Sequence, residues 1–390
     1  MNVTKVCTEY CIGCGLCKSE LDVEMKENAK GYIYPTLTNK NEDFLKNVCP
    51  IMDNHIKVKE YNSIWGNIEM VVGAYASDAD IRKKASSGGA LTALALYLLD
   101  TGKVDGIIQV SQDASNPTKT VCQISTTREQ VLNCCGSRYS ISSPWYELST
   151  KVDMTKKYAA IGKPCDILAL RRLRDYDKKY NCIEYLLSFF CAGLPSQDAQ
   201  RELLSKIGCK NEKCTSLTYR GNGWPGYTTA IDADGKEYTM EYSRAWGKIL
   251  GRDVHPYCRL CIDGIGEAAD ISCGDGWYIK DGEPDFTERD GRNIVFTRNA
   301  IGTRLLKSAM ESGYVVYENW ENLDELKIIQ KHQYTRKTTM KSKLLGYNLC
   351  LRKVPSYDGK LLSGYAKKAS FKQKVKIFLG TVKRIVQRKI

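Results

Sequence analysis

The sequence predicts a mixed fold in three parts: α+β at the start, α/β through the middle and helical at the end. Three observations carry this. Residues 1–60 are rich in Cys, Asn and Lys and poor in long periodic runs, as in a small domain held by something other than an apolar core. Residues 61–330 alternate short apolar runs with amphipathic ones, the pattern of strands feeding helices. Residues 331–390 form a basic tail: from Leu326 onward 18 Lys/Arg stand against Asp358 alone, so a chain of net charge +13 is a mildly acidic body with a strongly basic end.

The elements follow in order. MVVGAYA from Met70 reads as a buried strand, SSGG at residues 86–89 as a turn, and GALTALALYLLDTG as a helix stopped at Gly102. DGIIQV is a second strand. YAAIGKPC is strand and turn, DILALRRLRDY a helix, EYLLSFFC a strand, and SQDAQRELLSKIG a helix closed by Gly208. YTTAIDADGKEYTM reads as a hairpin about Asp234 and Gly235. A helix over 301–311 leads into the strand YVVYE. In the tail, Phe371, Val375, Phe378, Leu379, Val382 and Ile385 recur near helical spacing on a basic background, which predicts a basic amphipathic helix.

Composition narrows the function. Apolar residues at 43% and charged ones at 26% are ordinary globular usage. The longest apolar runs, such as residues 91–99, fall short of the roughly 20 residues of a membrane span, and the first residues lack the apolar stretch of a signal peptide. A cytoplasmic protein is therefore expected. In a reducing compartment, 17 cysteines point to metal or redox chemistry rather than disulfides, and a total of three histidines argues against a centre built on several imidazoles.

The sharpest local signal is Cys11-x2-Cys14-x2-Cys17. Three thiolates at two-residue spacing wrap three corners of an iron–sulfur cube, and Gly13 and Gly15 let the loop turn between them. The usual fourth position is Leu21, so the fourth corner falls to Cys49, which precedes Pro50 as at the end of a ferredoxin run, with Cys7 its competitor. A structural zinc site is the alternative. The first part is thus expected to be a ferredoxin-like 4Fe-4S module. Cys165, Cys191 and Cys258-x2-Cys261 form a scattered second set, two of them at predicted strand ends, and Cys273 is a substitute member.

Ser86, Ser87, Gly88 and Gly89 immediately precede a helix, where free N–H groups suit an anion, although neither a P-loop nor a dinucleotide fingerprint is present. The loops GSRYSIS and YRGNGWPGYTT combine Gly with Arg and aromatics, which suits a planar cofactor or an ordinary turn alike. Lys163 sits beside Cys165 in a strand-end turn, where a cation would stabilise negative charge on a reduced ring. His255, next to Cys258, is one of several candidate proton donors.

Taken together, CIGCGLC, SSGGALTAL, GSRY, IGKPCDILALRRL, FFCAGLPS, YRGNGWPG and CRLCIDGIGEAADISCGD resemble, in this order, the coenzyme F420 hydrogenase/dehydrogenase beta-subunit family over roughly residues 5–300. The resemblance implies an FAD-containing iron–sulfur oxidoreductase, with flavin exchanging a hydride with a partner and passing electrons singly to clusters. It places Ser86 to Gly89, Ser137, Tyr139 and Lys163 near the flavin, and makes Cys165, Cys191, Cys258 and Cys261 ligands of a second cluster. Expected partners are a redox protein or a small hydride carrier such as F420. An electron-transfer subunit and a zinc-stabilised binding protein are the alternatives. For the tail, an anionic membrane surface is preferred to nucleic acid, because Phe371, Phe378 and Leu379 add an apolar face to the lysines.

Overall fold

The computed structural model describes residues 3–52, 63–320 and 322–387; the part boundary expected at residues 60 and 61, and the last three tail residues, lie outside them. The first part folds as α1 (Val3–Glu9), α2 (Leu16–Leu21), a hairpin of β1 (Met25–Glu27) and β2 (Ile33–Pro35), and α3 (Glu42–Val48). The middle opens with β3 (Met70–Ala76), α4 (Ala79–Lys84), α5 (Ala90–Asp100), β4 (Gly106–Gln112), β5 (Thr120–Ser125), α6 (Arg128–Asn133) and α7 (Leu148–Lys151). It continues through β6 (Tyr158–Gly162), α8 (Pro164–Tyr176), β7 (Ile183–Phe189) and α9 (Gln197–Ile207). A three-stranded sheet of β8 (Cys214–Thr218), β9 (Tyr227–Asp232) and β10 (Glu237–Glu241) then leads to α10 (Tyr242–Arg244) and α11 (Pro256–Leu260). The chain returns as β11 (Ile271–Asp275), the hairpin β12 (Tyr278–Lys280) and β13 (Glu283–Asp285), β14 (Asn293–Thr297), α12 (Ala300–Glu311) and β15 (Val315–Asn319).

Eight strands make one mixed sheet in the order β15-β3-β14-β11-β7-β6-β4-β5. Its centre, β11-β7-β6-β4, is parallel, and both flanks are antiparallel. The parallel strands are largely buried on both faces, as placement between two layers requires, with Gln109, Ser188 and Ser272 as buried polar exceptions to their apolar character. Alternation divides the core: Ile107, Ala159, Leu187 and Val295 join α5 and α12 residues such as Leu94 and Leu305, whereas Ile108, Ala160 and Leu186 join Ile167 and Leu170 of α8. Each such Ile, Leu or Val side chain stabilises the fold by about 1.5–3 kcal/mol. Leu16, Phe44 and Val48 of the first part pack into the α8 cluster. Caps fix the helix starts: Asp78, Ser196 and Asn299 accept backbone N–H groups, and Gly208, at φ 94°, closes α9 as expected.

The tail differs from the sequence expectation. It comprises α13 (Leu326–Ile329), α14 (Lys331–Leu349), α15 (Gly359–Ala366) and α16 (Phe371–Val386). Helix α14 lies on the body with Gln333, Arg336, Lys337, Thr338 and Thr339 buried. A polar buried face hides such a helix from an apolar-periodicity reading. Only α16 is the basic amphipathic helix expected, and its apolar residues do not share one free face: Ile385 is buried and Phe378 half-buried, while Phe371 and Leu379 are exposed.

Candidate functional site

Cys11 and Cys14 lie on the loop between α1 and α2, and Cys17 lies in the first turn of α2. Gly13 (φ 71°) and Gly15 (φ 95°) take the left-handed conformation their sequence positions imply. A Cβ on Gly15 would stand 2.5 Å from the Tyr146 nitrogen. The loop is pinned to the body by Trp145 N–H donating to the Cys14 carbonyl (3.0 Å) and Ser143 Oγ donating to the Gly13 carbonyl (2.6 Å). Cys49 arrives from the end of α3, its carbonyl accepting from Arg172 (3.2 Å). The Cys7 thiol donates to Cys49 Sγ at 3.7 Å, so both candidates for the fourth corner are at hand and in contact.

Burial pushes the Cys11 thiol up to about 12, and burial with thiolate repulsion also raises Cys14 and Cys17. Cys49 is the exception. The Cys7 hydrogen bond and the Ile51 and Met52 N–H groups hold it below the ordinary thiol range. Half-buried thiols that repel one another are a set that deprotonates fully only around a cationic core.

The second set assembles from three elements. Cys165 lies in the first turn of α8, just past β6; Cys191 follows β7; Cys258 lies on α11 and Cys261 caps its end. Cys165 feels Cys191 and Cys261 electrostatically, and Cys258 feels the same two. Burial lifts Cys258 to about 12 and Cys261 to about 11, the latter against Arg336. Leu194 N–H donates to Cys258 Sγ (3.3 Å). Cys273 lies inside β11, pushed to about 12 by burial alone. The sets are neighbours: Cys14, Cys49, Cys165 and Cys261 flank one apolar cluster, and Tyr257 in that cluster feels Cys261, Cys165 and Cys49. Among the described residues, no three His, Cys, Asp or Glu side chains close around a single-ion position.

A cavity of about 530 Å³ opens beside the second set, outside the carboxyl ends of β6 and β7, where ligands of α/β sheets gather. Cys191 is part of its wall. Ser86, Ser87, Gly89, Ser137, Tyr139 and Lys163 line it. Gly88 does not. It faces the sheet, where a Cβ would stand 2.8 Å from the Ala74 carbonyl oxygen and from Asn293 N, so its size serves close packing. One of the free N–H groups expected at the start of α5 is also taken, since Ala90 N–H donates to Asn293 Oδ1 (3.1 Å). Ser86 ties three loops together: its Oγ accepts from Ser137 N–H (2.6 Å) and donates to the Arg220 carbonyl (2.8 Å).

Lys163 is partnered within the protein. Its Nζ donates to Asp166 Oδ2 and Ser142 Oγ, both at 2.6 Å, and although burial opposes the charge, Asp166 and Cys165 outweigh it and keep the ammonium protonated. Arg220 holds Asp275 at 2.8 Å and lies over Tyr242 and Trp277, yet its buried Nη2 has no protein partner. Trp277 stacks on Trp224 with ring centres 4.2 Å apart and planes 2° apart. A buried unpaired donor, aromatic walls and a polar serine rim fit a flat anionic cofactor. Tyr242, Trp246, His332 and Gln333 also line the cavity and went unrecognised in the sequence; they come from distant segments with no local motif. His255 is buried, its Nδ1 accepting from Tyr257 N–H (3.1 Å), and burial lowers it to about 4.

Two adjoining sets of half-buried thiols beside an aromatic, cationic cavity at strand ends mark a cysteine-rich α/β protein. The chain belongs to the coenzyme F420 hydrogenase/dehydrogenase beta-subunit family: residues 71–148 match that family's beta subunit N-terminal model and residues 155–322 its C-terminal model. It is 25% identical over 285 residues to the coenzyme F420 hydrogenase subunit beta of Methanococcus voltae, covering 70% of this chain and 92% of that protein. The subunit of the same name from Methanosarcina barkeri is 28% identical, covering 74% and 96%. The coenzyme F420-dependent sulfite reductase of Methanocaldococcus jannaschii is 28% identical, over 65% of this chain and 39% of that protein. The fold resembles a chain of the F420-reducing NiFe hydrogenase complex from Methanosarcina barkeri, with a TM-score of 0.55, 24% identity, and coverage of 75% and 97%. Helices α14 to α16 lie beyond both family matches.

Proposed function

We propose that this chain is an electron-transfer subunit of an oxidoreductase, holding FAD in the cavity and a 4Fe-4S cluster in each cysteine set. The observation that carries this is the double membership of Cys191, a wall residue of the cavity and a member of the second set. FAD would exchange a hydride with a small carrier such as coenzyme F420 and pass electrons singly to the clusters. Cys11, Cys14, Cys17 and Cys49 hold the first cluster, and Cys165, Cys191, Cys258 and Cys261 the second. Cys7 touches Cys49, and two sulfurs in contact do not take separate corners of one cube; Cys7 therefore donates its hydrogen bond to the Cys49 ligand.

Within the cavity, Arg220 Nη2 binds an anionic group of the cofactor, and Ser86, Ser87, Gly89 and Ser137 form the polar rim. Tyr139 and Trp277 supply aromatic walls, and Lys163, already neutralised by Asp166, orients the β6–α8 turn. The division into a ferredoxin-like module (1–60), a flavin domain (61–330) and a basic tail (331–390) belongs to the same reading. So does a partner enzyme subunit, as the names of the hydrogenase relatives support.

Anaerobic purification tests this. The expected material is brown and carries one flavin and two four-iron clusters per chain; Cys14→Ser and Cys258→Ser each remove one cluster and leave the other. Colourless protein with stoichiometric zinc, even after reconstitution with iron and sulfide, overturns the proposal.

A further inference from the structure

Helix α16 packs on α14 along one edge, beside which Ile377, Phe378 and Val382 are half-buried. Its buried residues are Thr381 and Ile385, and Thr381 sits against Gly346 of α14, where a Cβ would stand 3.1 Å from it. Phe371 (81% exposed), Val375 (37%), Leu379 (58%) and Val386 (73%) stand away from that edge. At 3.6 residues per turn these four fall within one stripe, and Lys372, Lys376 and Lys383, all exposed, run along its border. No acid occurs in α16 or after it. On the adjoining helix, Leu345 and Leu349 are also exposed.

We propose that α16 is a docking surface for a bilayer carrying anionic headgroups, lying in the membrane plane. Water leaves the apolar stripe unsatisfied, and nucleic acid would match the lysines and not Phe371 or Leu379. The headgroup boundary satisfies both: acyl chains receive the stripe, and lipid phosphates face the bordering lysines. Among the described residues no helix is long and apolar enough to cross a membrane, so α16 lies on the surface. The anchor is coupled to the proposed redox site. The helix that carries α16 also donates from Gln333 to the Cys191 carbonyl (3.0 Å) and from Arg336 to the Ala192 carbonyl (2.8 Å), so docking would fix the second cysteine set relative to the bilayer.

The test is flotation of the full chain with phosphatidylcholine vesicles, with and without about one-third phosphatidylglycerol, supported by light scattering of the protein alone. The protein is expected to float only with the anionic vesicles. Lys372→Gln/Lys376→Gln/Lys383→Gln is expected to weaken binding about a hundredfold, at roughly fivefold per lysine. Phe371→Ser/Leu379→Ser is expected to abolish flotation. All five side chains are exposed, so an unchanged melting temperature verifies that the variants are folded. Four results overturn the proposal: no flotation of the wild type, equal flotation of wild type and variants, a dimer lost in Phe371→Ser/Leu379→Ser without vesicle binding, or binding of a single-stranded oligonucleotide in place of vesicles.

Discussion

Replacing Lys337 by Met should loosen α14 from the body. Lys337 and Glu267 form an ion pair in which the side chains are 2% and 5% exposed, and the pair joins the tail helix to the loop before β11. Removing one partner of a pair this dry leaves a buried charge and costs about 3–5 kcal/mol. If α14 opens as a local unit, its amides exchange roughly a hundredfold to several thousandfold faster. Hydrogen exchange read by mass spectrometry over residues 331–349 measures this directly, and Lys337→Met/Glu267→Leu should recover most of the loss, since two apolar groups leave no charge stranded. The pH dependence has a defined sign. Burial raises the Glu267 carboxyl, against the opposing pull of Lys337 and Arg298, so losing Lys337 raises it further. A carboxyl raised in the folded state favours folding at low pH and loses that contribution as pH rises through its folded value. The Lys337→Met defect should therefore shrink as pH falls. Exchange within threefold of wild type, or a double variant as loose as the single one, would refute the account of how α14 is held.

Three further outcomes are expected. Cys7→Ser should keep the full iron content whereas Cys49→Ser loses one cluster; the reverse pattern would give the fourth corner to Cys7. On the proposed reading, Arg220→Met removes the donor to an anionic group of the flavin, worth about 1.5–3 kcal/mol, so flavin titration should show roughly ten- to hundredfold weaker binding, and unchanged affinity would remove Arg220 from the site. His255 is lowered to about 4 from an ordinary 6.5, so the stability it contributes is intact above pH 6.5 and is lost as pH falls towards 4; melting temperatures of His255→Asn should fall less steeply over that window than those of the wild type.

The parts of the fold written in local pattern were legible in the sequence. β3, β4, β6 and β7 are short apolar runs, and α5 and α9 carry their own stops at Gly102 and Gly208. Strands β5 and β11 are not legible in this way: TVCQIS and ISCGD mix polar residues into brief stretches, and only pairing with neighbours makes them strands. The spacing of Cys11, Cys14 and Cys17 is a local signal. That Cys165, Cys191, Cys258 and Cys261 lie near one another depends on how the ends of β6 and β7 approach α11, which no local spacing shows; in the sequence the grouping rests on family resemblance. Lys163 shows the limit in another way. Its charge was read as available, but Asp166, one helical turn on, holds it. Gln333 and His332 lie in a segment without motif, and their position at the cavity depends on a contact spanning 142 residues to Cys191.

The parallel indoles of Trp224 and Trp277 give the cavity an optical signature of its own. Trp277 forms part of the wall and stacks on Trp224 behind it. An isoalloxazine entering the cavity would drain their excitation, because its absorption overlaps indole emission. Ultraviolet fluorescence of the unlabelled chain would then dim as the cavity fills and brighten as it empties, so occupancy can be followed in real time without attaching a dye.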